Sequence, residues 1–480
     1  MTVEVNQPNP SGDLESQSVV GQQFNWLKQW YPVSPLTYLD SSCPTTIAVL
    51  GKKLVVWQYD GQWAVMDDVC PHKLTQLSLG KIQPNGTLAC RQHGWCFDLS
   101  GQCVKIPMIA DSDAQSSACR NVRAQVNTYP TQVEHGLLWV WLDHSSAAWE
   151  ECQQKQPAML SDPSPQWAKS DWYMVEVPVG YTVSIESNFD PSHAQFLHEG
   201  VGAFSPASAI PMDGFELVGE ISAEGGFVLK HGGYNLSNQG MEATRSFRPP
   251  CATVAQYRLP TGATQTFQIY FVPTAPGHCR YIGKFLIDAP ATSSFNLAQQ
   301  AIKLFLALLP RDLRIGLPHL MVYRIGDQDL AAMYAQTQNE ATTERKFFLP
   351  SPADQGILAL KTWLNRFGGG TPAFNTLYSE RQETLSDDQL YDRWHRHTKL
   401  CPDCRRAVEW MVKAQKVCQW VAIAAVVLGI IALLLLPLQV GLGCLAIALL
   451  SILGQQQLVQ LQRPFISSLP LYGIPTVKLY

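Results

Sequence analysis

Two short segments that each pair a cysteine with a histidine constrain this chain more than any other feature. Cys70 and His72 form a Cys-x-His unit. After seventeen intervening residues, Cys90 and His93 form a Cys-x-x-His unit. Together they supply two thiolates and two imidazoles, which are ligands that proteins use for transition metals. A fold that uses all four side chains at one centre must hold two loops side by side.

Two kinds of metal centre use this ligand set. In a Rieske [2Fe-2S] centre one iron takes two Cys and the other takes two His, which raises the reduction potential above that of an all-Cys ferredoxin. A structural zinc site also takes two Cys and two His, but zinc fingers keep the two Cys close together and the two His close together. Here each loop carries one of each, so the spacing favours the Rieske cluster.

A second candidate metal site lies about a hundred residues further on. Asp190 precedes His193 by three residues, and His198 follows five residues later. Two such histidines on a helical segment converge on one metal with some local distortion, and a third, carboxylate ligand would complete the triad of non-haem Fe(II) oxygenases. Two ordinary, partly buried histidines are the alternative. The predicted upstream cluster delivers electrons one at a time, and a mononuclear iron could accept them. The cluster therefore favours the iron site over two ordinary histidines.

The third iron ligand is sought in the segment Gly326-Asp327-Gln328-Asp329, which opens an amphipathic run that reaches Gln336. We expect Asp329 to be the ligand and keep Asp327 as the reserve. The alternative role for both acids is at a helix N-terminus, where carboxylates accept hydrogen bonds from free amides and complement the helix dipole.

Composition narrows the class of protein. Net charge is −4, with 35 Lys and Arg against 39 Asp and Glu, so the chain has no basic signature for nucleic acid. Thirteen cysteines are scattered along the 480 residues, and two of them are already assigned to the cluster. Because the remaining cysteines are scattered, we expect the protein to be in a reducing compartment, where disulfides are rare.

The distribution of strand-like and helical patterns predicts an α+β fold. It comprises an all-β Rieske domain, an antiparallel-sheet plus helix catalytic iron domain, and a C-terminal transmembrane helical hairpin. The predicted segments are a disordered N-terminus (1–22), the Rieske domain (23–147), a linker (148–167), the catalytic domain (168–385), a Cys-x-x-Cys segment (386–417), two transmembrane helices (418–456) and a tail (457–480).

The C-terminal hairpin is predicted from an apolar stretch between Val421 and Leu453, interrupted by Pro437 and Gln439. About twenty apolar residues span a bilayer. Basic residues precede the first span and follow the second, so both flanks are expected on the cytoplasmic or stromal side. Just before it, Cys401 and Cys404 form a Cys-x-x-Cys unit, which is a redox dithiol, half of a metal site, or two structural thiols.

Taken together, these motifs resemble the pheophorbide a oxygenase family of membrane-bound Rieske monooxygenases, which includes protochlorophyllide a oxygenase and cyanobacterial relatives. The segments that carry the resemblance are Trp30-Tyr31-Pro32, Cys70-Pro71-His72-Lys73, His93-Gly94-Trp95, Lys105-Ile106-Pro107, Asp190-Pro191-Ser192-His193, the Cys401/Cys404 pair and the apolar hairpin. Two positions depart from the pattern. Gln92 stands where the second loop of related oxygenases commonly has Tyr. The family often has Glu-Asn directly ahead of the two residues before the motif Asp, whereas here Ser187 fills that slot and Asn188 is shifted by one.

The resemblance implies a monooxygenase that takes electrons from reduced ferredoxin and inserts oxygen from dioxygen into a cyclic tetrapyrrole of the pheophorbide, chlorophyllide or protochlorophyllide type, or into a derived bilin. It also implies a homotrimer in which Asp190 conducts electrons from the cluster of the neighbouring subunit. The residues expected at the sites are Cys70, His72, Cys90 and His93 for the [2Fe-2S] cluster; His193, His198 and Asp329 for the iron; Asp190 and Asn188 as catalytic residues; and Cys401 and Cys404 as a redox dithiol.

The expected setting is a membrane, either the thylakoid or plasma membrane of a cyanobacterium or a chloroplast membrane, with the catalytic domains on the cytoplasmic or stromal face. Membrane lipid, the apolar substrate and a thioredoxin-like reductant are the expected partners, and nucleic acid is not. The rival interpretation is a non-catalytic, membrane-bound Rieske electron carrier or redox sensor.

Overall fold

The structure is a computed structural model. It describes residues 23–160, 167, 171–202, 204–212, 216–288, 304, 307, 309–374 and 384–468. The predicted disordered N-terminus, 1–22, lies outside these residues, as does the end of the predicted tail.

Eleven short strands make up three small antiparallel sheets in the first part of the described chain. Their orders are β1-β11-β10, β2-β3-β4-β9 and β5-β6-β7-β8. The strands are β1 (Trp30–Pro35), β2 (Thr45–Val49), β3 (Lys52–Tyr59), β4 (Gln62–Asp67), β5 (Lys81–Ile82), β6 (Leu88–Ala89), β7 (Cys96–Phe97), β8 (Cys103–Lys105), β9 (Thr128–Tyr129), β10 (Thr131–Glu134) and β11 (Leu137–Trp141). The prediction of a β-rich region that carries both Cys/His loops is confirmed.

A seven-stranded antiparallel sheet dominates the second part, in the order β12-β18-β17-β16-β15-β14-β13. Its strands are β12 (Tyr173–Val177), β13 (Glu216–Ser222), β14 (Gly226–His231), β15 (Glu242–Arg248), β16 (Ala252–Arg258), β17 (Thr264–Ala275) and β18 (His278–Asp288). Strands β17 and β18 are the longest, and they pair from Thr264 opposite Asp288 to Ala275 opposite His278.

The two β regions share one hydrophobic core. Trp139 and Trp141 from the first region are fully buried in the same cluster as Phe247 and Tyr270 from the second. Backbone hydrogen bonds also cross between them, including one of 2.7 Å from the Leu50 amide to the Pro273 carbonyl. Because burial of large aromatic side chains contributes about 1.5–3 kcal/mol each, this shared core fixes the position of the cluster loops against the large sheet.

Helices connect the sheet to the predicted iron motif and to the C-terminal hairpin. They are α1 (Ser112–Arg120), α2 (Ala148–Glu151), α3 (Tyr181–Asn188), α4 (Ala194–Leu197), α5 (Arg311–Thr342), α6 (Gln355–Trp363), α7 (Asp387–Leu390), α8 (Pro402–Leu435) and α9 (Leu438–Ile466).

Helix α5 corrects one prediction. In the sequence the segment 326–329 looks like the start of an amphipathic run, with a helix N-terminus as the alternative position for Asp327 and Asp329. Helix α5 instead begins at Arg311, and both acids lie inside it. Pro318 and Gly326 disfavour a helix interior and make the sequence look broken there. Burial of apolar residues along α5, including Leu313 and Leu330, outweighs that local cost.

Helices α8 and α9 form an antiparallel hairpin, and both are long and apolar enough to cross a membrane. Small residues allow close approach, since a Cβ on Gly441 would lie 2.5 Å from the side chain of Leu433. Away from this contact the apolar side chains face outward, and Leu434 is 78% exposed. At the other end of the hairpin Phe465 is fully buried against the remainder of the protein. Both helices extend beyond the predicted spans at the end nearest the catalytic region.

Candidate active site

The four predicted cluster ligands occupy two neighbouring loops, one after β4 and one between β6 and β7. A hydrogen bond of 2.8 Å closes each loop, from the Cys70 amide to the Thr75 carbonyl and from the Cys90 amide to the Trp95 carbonyl. The two Cys side chains are buried, whereas His72 is exposed and His93 is half-buried. The two imidazole rings lie 4.4 Å apart between centroids. The loops therefore place two thiols inside and two imidazoles at the surface.

Burial of the two thiols favours a role as metal ligands, because it keeps them from reacting with molecules in solution. It raises the pKa of Cys70 to about 11, so a bound cation is needed to hold the thiolate at neutral pH. Trp95 stacks on His72 with ring centroids 4.8 Å apart and fixes the plane of that imidazole. Gln92, which departs from the family pattern, accepts a hydrogen bond from the Thr75 hydroxyl and ties the two loops together.

The second predicted site is assembled from two helical segments that are distant in sequence. The turn Pro191–His193 and the short helix α4 carry the two histidines, and the middle of α5 carries Asp329. One carboxylate oxygen of Asp329, Oδ1, lies 3.4 Å from His193 Nε2 and 3.2 Å from His198 Nε2. One ligand atom from each of the three side chains lies within 4.8 Å of the others.

The hydrogen bonds around this triad fit a bound cation. His198 Nδ1 lies 3.1 Å from Gln328 Oε1, so its N–H donates there and Nε2 keeps a free lone pair toward Asp329. His193 Nδ1 contacts the Asp190 carbonyl in the same manner. Asp329 Oδ1 is buried with no hydrogen-bond partner in the described part of the chain. Burial opposes ionisation of Asp329, yet the two imidazoles lower its pKa to about 2. Two lone pairs and one carboxylate thus face a common point.

Asp327, the reserve ligand, points elsewhere. Its Oδ2 lies 2.7 Å from Arg393 Nη1, and both side chains are almost fully buried. Arg396 approaches the other carboxylate oxygen at 3.5 Å. Asp327 therefore neutralises buried guanidinium groups on the segment before the hairpin, and of the two acids Asp329 is the one that meets the histidines.

Asp190 and Asn188 flank the turn that presents His193. Asp190 accepts a hydrogen bond of 2.6 Å from Ser192, and its other carboxylate oxygen lies 3.9 Å from His193 Nδ1. Asn188 uses its backbone carbonyl to accept a 2.5 Å hydrogen bond from buried Arg245. The catalytic roles of both residues stay predictions.

Cys401 and Cys404 lie apart from the triad, where α8 begins. Both thiols are buried, and they lie beside His319 and His397. Sequence reasoning missed His319 and Arg245 because each acts across a long separation in the chain. It also missed His397 and Gln328, although His397 lies four residues before Cys401 and Gln328 lies next to Asp329. Their place in those two segments is the signal that could have found them.

Replacing Gln328 with alanine is expected to weaken iron binding by about 10–100-fold, the usual cost of losing a hydrogen bond that orients a metal-ligating imidazole. Iron affinity of the chelator-treated, refilled protein measures this. Gln328→Glu is the matched control, because its carboxylate still accepts from His198 Nδ1 and should keep the affinity within a few-fold. Equal losses in both variants would show that the hydrogen bond does not orient the ligand.

An apolar-walled cavity of about 240 Å³ opens beside the triad. His193 and Asp329 form one side of it. Its other lining residues are Glu186, Ser187, Asp190, Leu197, Ala332, Met333, Gln336, Phe347, Leu349 and Ile357. A metal held by the triad would have an open side that faces a mostly apolar space, which is the arrangement that binds dioxygen beside an organic substrate.

Comparison with known proteins agrees with this geometry. Residues 29–130 match the Rieske [2Fe-2S] domain family, and residues 247–346 match the pheophorbide a oxygenase family. Pheophorbide a oxygenase of Oryza sativa subsp. japonica is 31% identical over 436 residues, which cover 85% of this chain and 78% of the rice protein. The Arabidopsis thaliana protein of the same name is 30% identical over 427 residues, covering 82% and 74%.

Two further similarities are informative. Flavonoid 8-hydroxylase 2 of Ocimum basilicum is 27% identical over 402 residues, which cover 80% of this chain and 73% of that protein. Among solved structures, dicamba monooxygenase bound to dicamba aligns with a TM-score of 0.50 and 18% identity, over 72% of this chain and 98% of the other. That structural likeness shows a shared fold.

The two metal-binding regions and the fold around them define a Rieske non-haem iron oxygenase, whose cofactors are a Rieske [2Fe-2S] cluster and a mononuclear iron. Enzymes of this class use dioxygen and an electron donor such as ferredoxin. Within the class, this chain belongs to the pheophorbide a oxygenase family. The two apolar helices indicate membrane association, and the relatives named above are chloroplast proteins.

Proposed function

We propose that this protein is a membrane-anchored monooxygenase that inserts one oxygen atom into a chlorophyll-related cyclic tetrapyrrole or a derived bilin. The observation that carries the proposal is the His193, His198 and Asp329 triad at the side of an apolar cavity. The substrate class rests on the names of the two relatives at about 30% identity. In this reaction dioxygen, two electrons and two protons yield the oxygenated pigment and water.

The size of the cavity indicates how such a substrate would bind. Its volume of about 240 Å³ is below the roughly 300–1,000 Å³ of sites that enclose a whole drug-sized ligand. A planar macrocycle would therefore insert one edge beside the triad. Phe347, at the cavity wall and 46% exposed, would contact the part that remains outside.

The residues of the chain position and insulate the site. His193, His198 and Asp329 would hold the iron, and the bound iron supplies the dioxygen chemistry. Met333, Leu349 and Ile357 keep the cavity dry. Buried Glu186 lies at its wall with its carboxylate 2.6 Å from Lys361 Nζ, and burial raises the pKa of Glu186. Lys361 opposes that rise in the pKa of Glu186, so the pair places a buried acid and its counter-charge at the edge of the substrate space.

Electrons would leave the cluster toward the iron of a neighbouring subunit on the side where His72 is exposed. His72 is exposed, and Leu74, two residues later, is 74% exposed. An exposed apolar side chain next to an exposed ligand favours contact with another subunit, in keeping with the homotrimer expected for this family. Asp190 would then carry electrons to His193 of its own subunit.

The cluster domain also has a basic surface that is suited to the electron donor. Lys81, Arg91 and Lys105 line an open surface cavity of about 370 Å³ next to Cys90. An acidic carrier such as ferredoxin would be attracted to these three charges, which increases the rate of association at low salt.

The membrane hairpin would hold the catalytic region against the lipid that dissolves the pigment. Arg405 and Arg406 at the start of α8, and Arg463 near the end of α9, support an orientation with this region on the cytoplasmic or stromal side. Such a membrane is the thylakoid or plasma membrane of a cyanobacterium, or a chloroplast membrane. The domain limits given above remain our proposal for the organisation of the chain.

Single-turnover oxidation tests the proposed substrate class. Reduced, iron-loaded full-length protein is mixed with dioxygen and, in turn, chlorophyllide, protochlorophyllide, pheophorbide or a bilin, and the products are analysed by mass. We expect one pigment to gain one oxygen atom or its dehydrated equivalent, and His193→Ala to abolish the product. Oxidation of the cluster with every pigment unchanged would contradict the substrate class and favour an electron carrier or sensor.

A further inference from the structure

Four side chains with metal-binding atoms meet at the boundary between the catalytic region and the membrane hairpin. His319 comes from α5, His397 from the turn Trp394–Thr398, and Cys401 and Cys404 from the start of α8. One ligand atom from each lies within 4.8 Å of all the others. None of the four belongs to the iron triad or to the Rieske loops.

We infer that these four residues bind one zinc ion. Tetrahedral zinc with Zn–S bonds of about 2.3 Å and Zn–N bonds of about 2.0–2.1 Å separates its ligand atoms by about 3.3–3.8 Å. Here His397 Nε2 lies 3.2 Å from His319 Nδ1 and 3.4 Å from Cys404 Sγ. His319 Nδ1 lies 3.1 Å from Cys404 Sγ and 3.9 Å from Cys401 Sγ. These four of the six separations, 3.1–3.9 Å, are close to the spacing around one tetrahedral ion, and the other two lie within 4.8 Å.

The hydrogen bonds of His397 prepare it as a ligand. Its Nδ1 lies 2.5 Å from the Met174 carbonyl, so Nδ1 carries the proton and donates it there. The lone pair is therefore on Nε2, which faces His319 and Cys404. Tyr173 stacks on the His397 ring with centroids 4.4 Å apart and holds its plane. Support of this kind usually accompanies metal-ligating histidines.

The surroundings also favour a cation. Cys401, Cys404 and His397 are at most 1% exposed, and Leu313, Met411 and Phe465 pack around the thiols. A thiolate in such an apolar space is costly unless a positive charge accompanies it.

A zinc ion here would cross-link α5 to the turn Trp394–Thr398 and the start of α8, which follow much later in the chain. It would fix α5, which carries Asp329, to the turn and to the first membrane helix. A structural zinc site with four protein ligands contributes directly to folding. The redox-dithiol interpretation of Cys401 and Cys404 uses only two of these residues, and burial of both thiols keeps a thioredoxin-like reductant away from them.

Element-specific X-ray absorption separates this site from the two iron centres. Full-length protein purified in detergent without chelator is expected to contain one zinc per chain, with two sulfur neighbours at about 2.3 Å and two nitrogen neighbours at about 2.0–2.1 Å. His319→Ala and Cys404→Ser should each lower zinc content by about tenfold or more, given the loss of a direct ligand. Cys43→Ser, which replaces an exposed cysteine, and Asp329→Ala should both keep the zinc.

Three results would overturn the inference. The first is wild-type protein with far less than one zinc per chain and a Cys401–Cys404 disulfide, seen as a loss of about two mass units. The second is zinc with only oxygen and nitrogen neighbours. The third is a fourth iron per chain in place of zinc. The spectrum of the wild-type protein decides between them even if the variants fail to fold.

Discussion

Replacing Asp329 with alanine is expected to abolish oxygenation while the Rieske cluster still takes up electrons. Asp329 is the carboxylate that faces both His193 Nε2 and His198 Nε2, and two imidazoles alone bind iron poorly. Because the loss of a merely supporting hydrogen bond costs about 10–100-fold in metal affinity, the loss of the carboxylate itself should cost more than 100-fold. Mononuclear iron content and product per turnover measure the change.

The fold should tolerate this substitution, since the polar contacts described for Asp329 are with those two histidines. Circular dichroism and the electron paramagnetic resonance signal of the reduced cluster serve as controls and should match those of the wild type. Normal iron content and normal product formation in Asp329→Ala would refute the assigned triad.

Replacing Asp327, two residues earlier, should give the opposite phenotype. Asp327→Ala removes the carboxylate that lies 2.7 Å from the buried guanidinium of Arg393, and breaking a buried ion pair from one side costs about 3–5 kcal/mol. Arg393 also donates a 2.8 Å hydrogen bond to the Pro464 carbonyl at the end of α9, so the loss would loosen the attachment of the hairpin. We expect a large fall in the unfolding temperature or in the yield of folded protein.

The two alanine variants control for each other. Folded Asp327→Ala protein should still bind iron, whereas Asp329→Ala should be stable and iron-poor. A stable, iron-poor Asp327→Ala protein would instead make Asp327 the ligand and would reverse the assignment.

Local motifs made much of the metal chemistry predictable from sequence. The spacing of Cys70, His72, Cys90 and His93 within two loops already favoured the Rieske cluster, and strand-like patterns predicted the β-rich region that carries those loops. Such patterns are readable because ligands on one loop, or side chains on one strand, are separated by few residues.

The sequence favoured Asp329 over Asp327 as the iron ligand, but the physical reason for that choice comes from the helix that carries both acids. Successive residues turn by about 100° around an α-helix, so acids two positions apart lie on nearly opposite faces. One therefore meets Arg393 and the other meets the histidines. The sequence alone did not show which face of the helix each acid occupies, because Pro318 and Gly326 made it difficult to predict where α5 begins.

The pairing of His319 with Cys404 was beyond sequence reasoning for another reason. The two residues are 85 positions apart, and only the packing of α8 against α5 brings them together. The same holds for Arg245 on β15, which donates a hydrogen bond to the carbonyl of Asn188 at the end of α3. Contacts of this kind depend on tertiary packing and carry no local signature.

The most direct test of the account uses labelled dioxygen. Reduced full-length protein is mixed with ¹⁸O₂ and the pigment that reacts in the panel, and the product is examined by mass after one turnover. The account predicts one ¹⁸O atom in the pigment, together with oxidation of the cluster, and no label with Asp329→Ala. Oxidation of the cluster in wild-type protein without label in any pigment, although the triad is filled with iron, would contradict it.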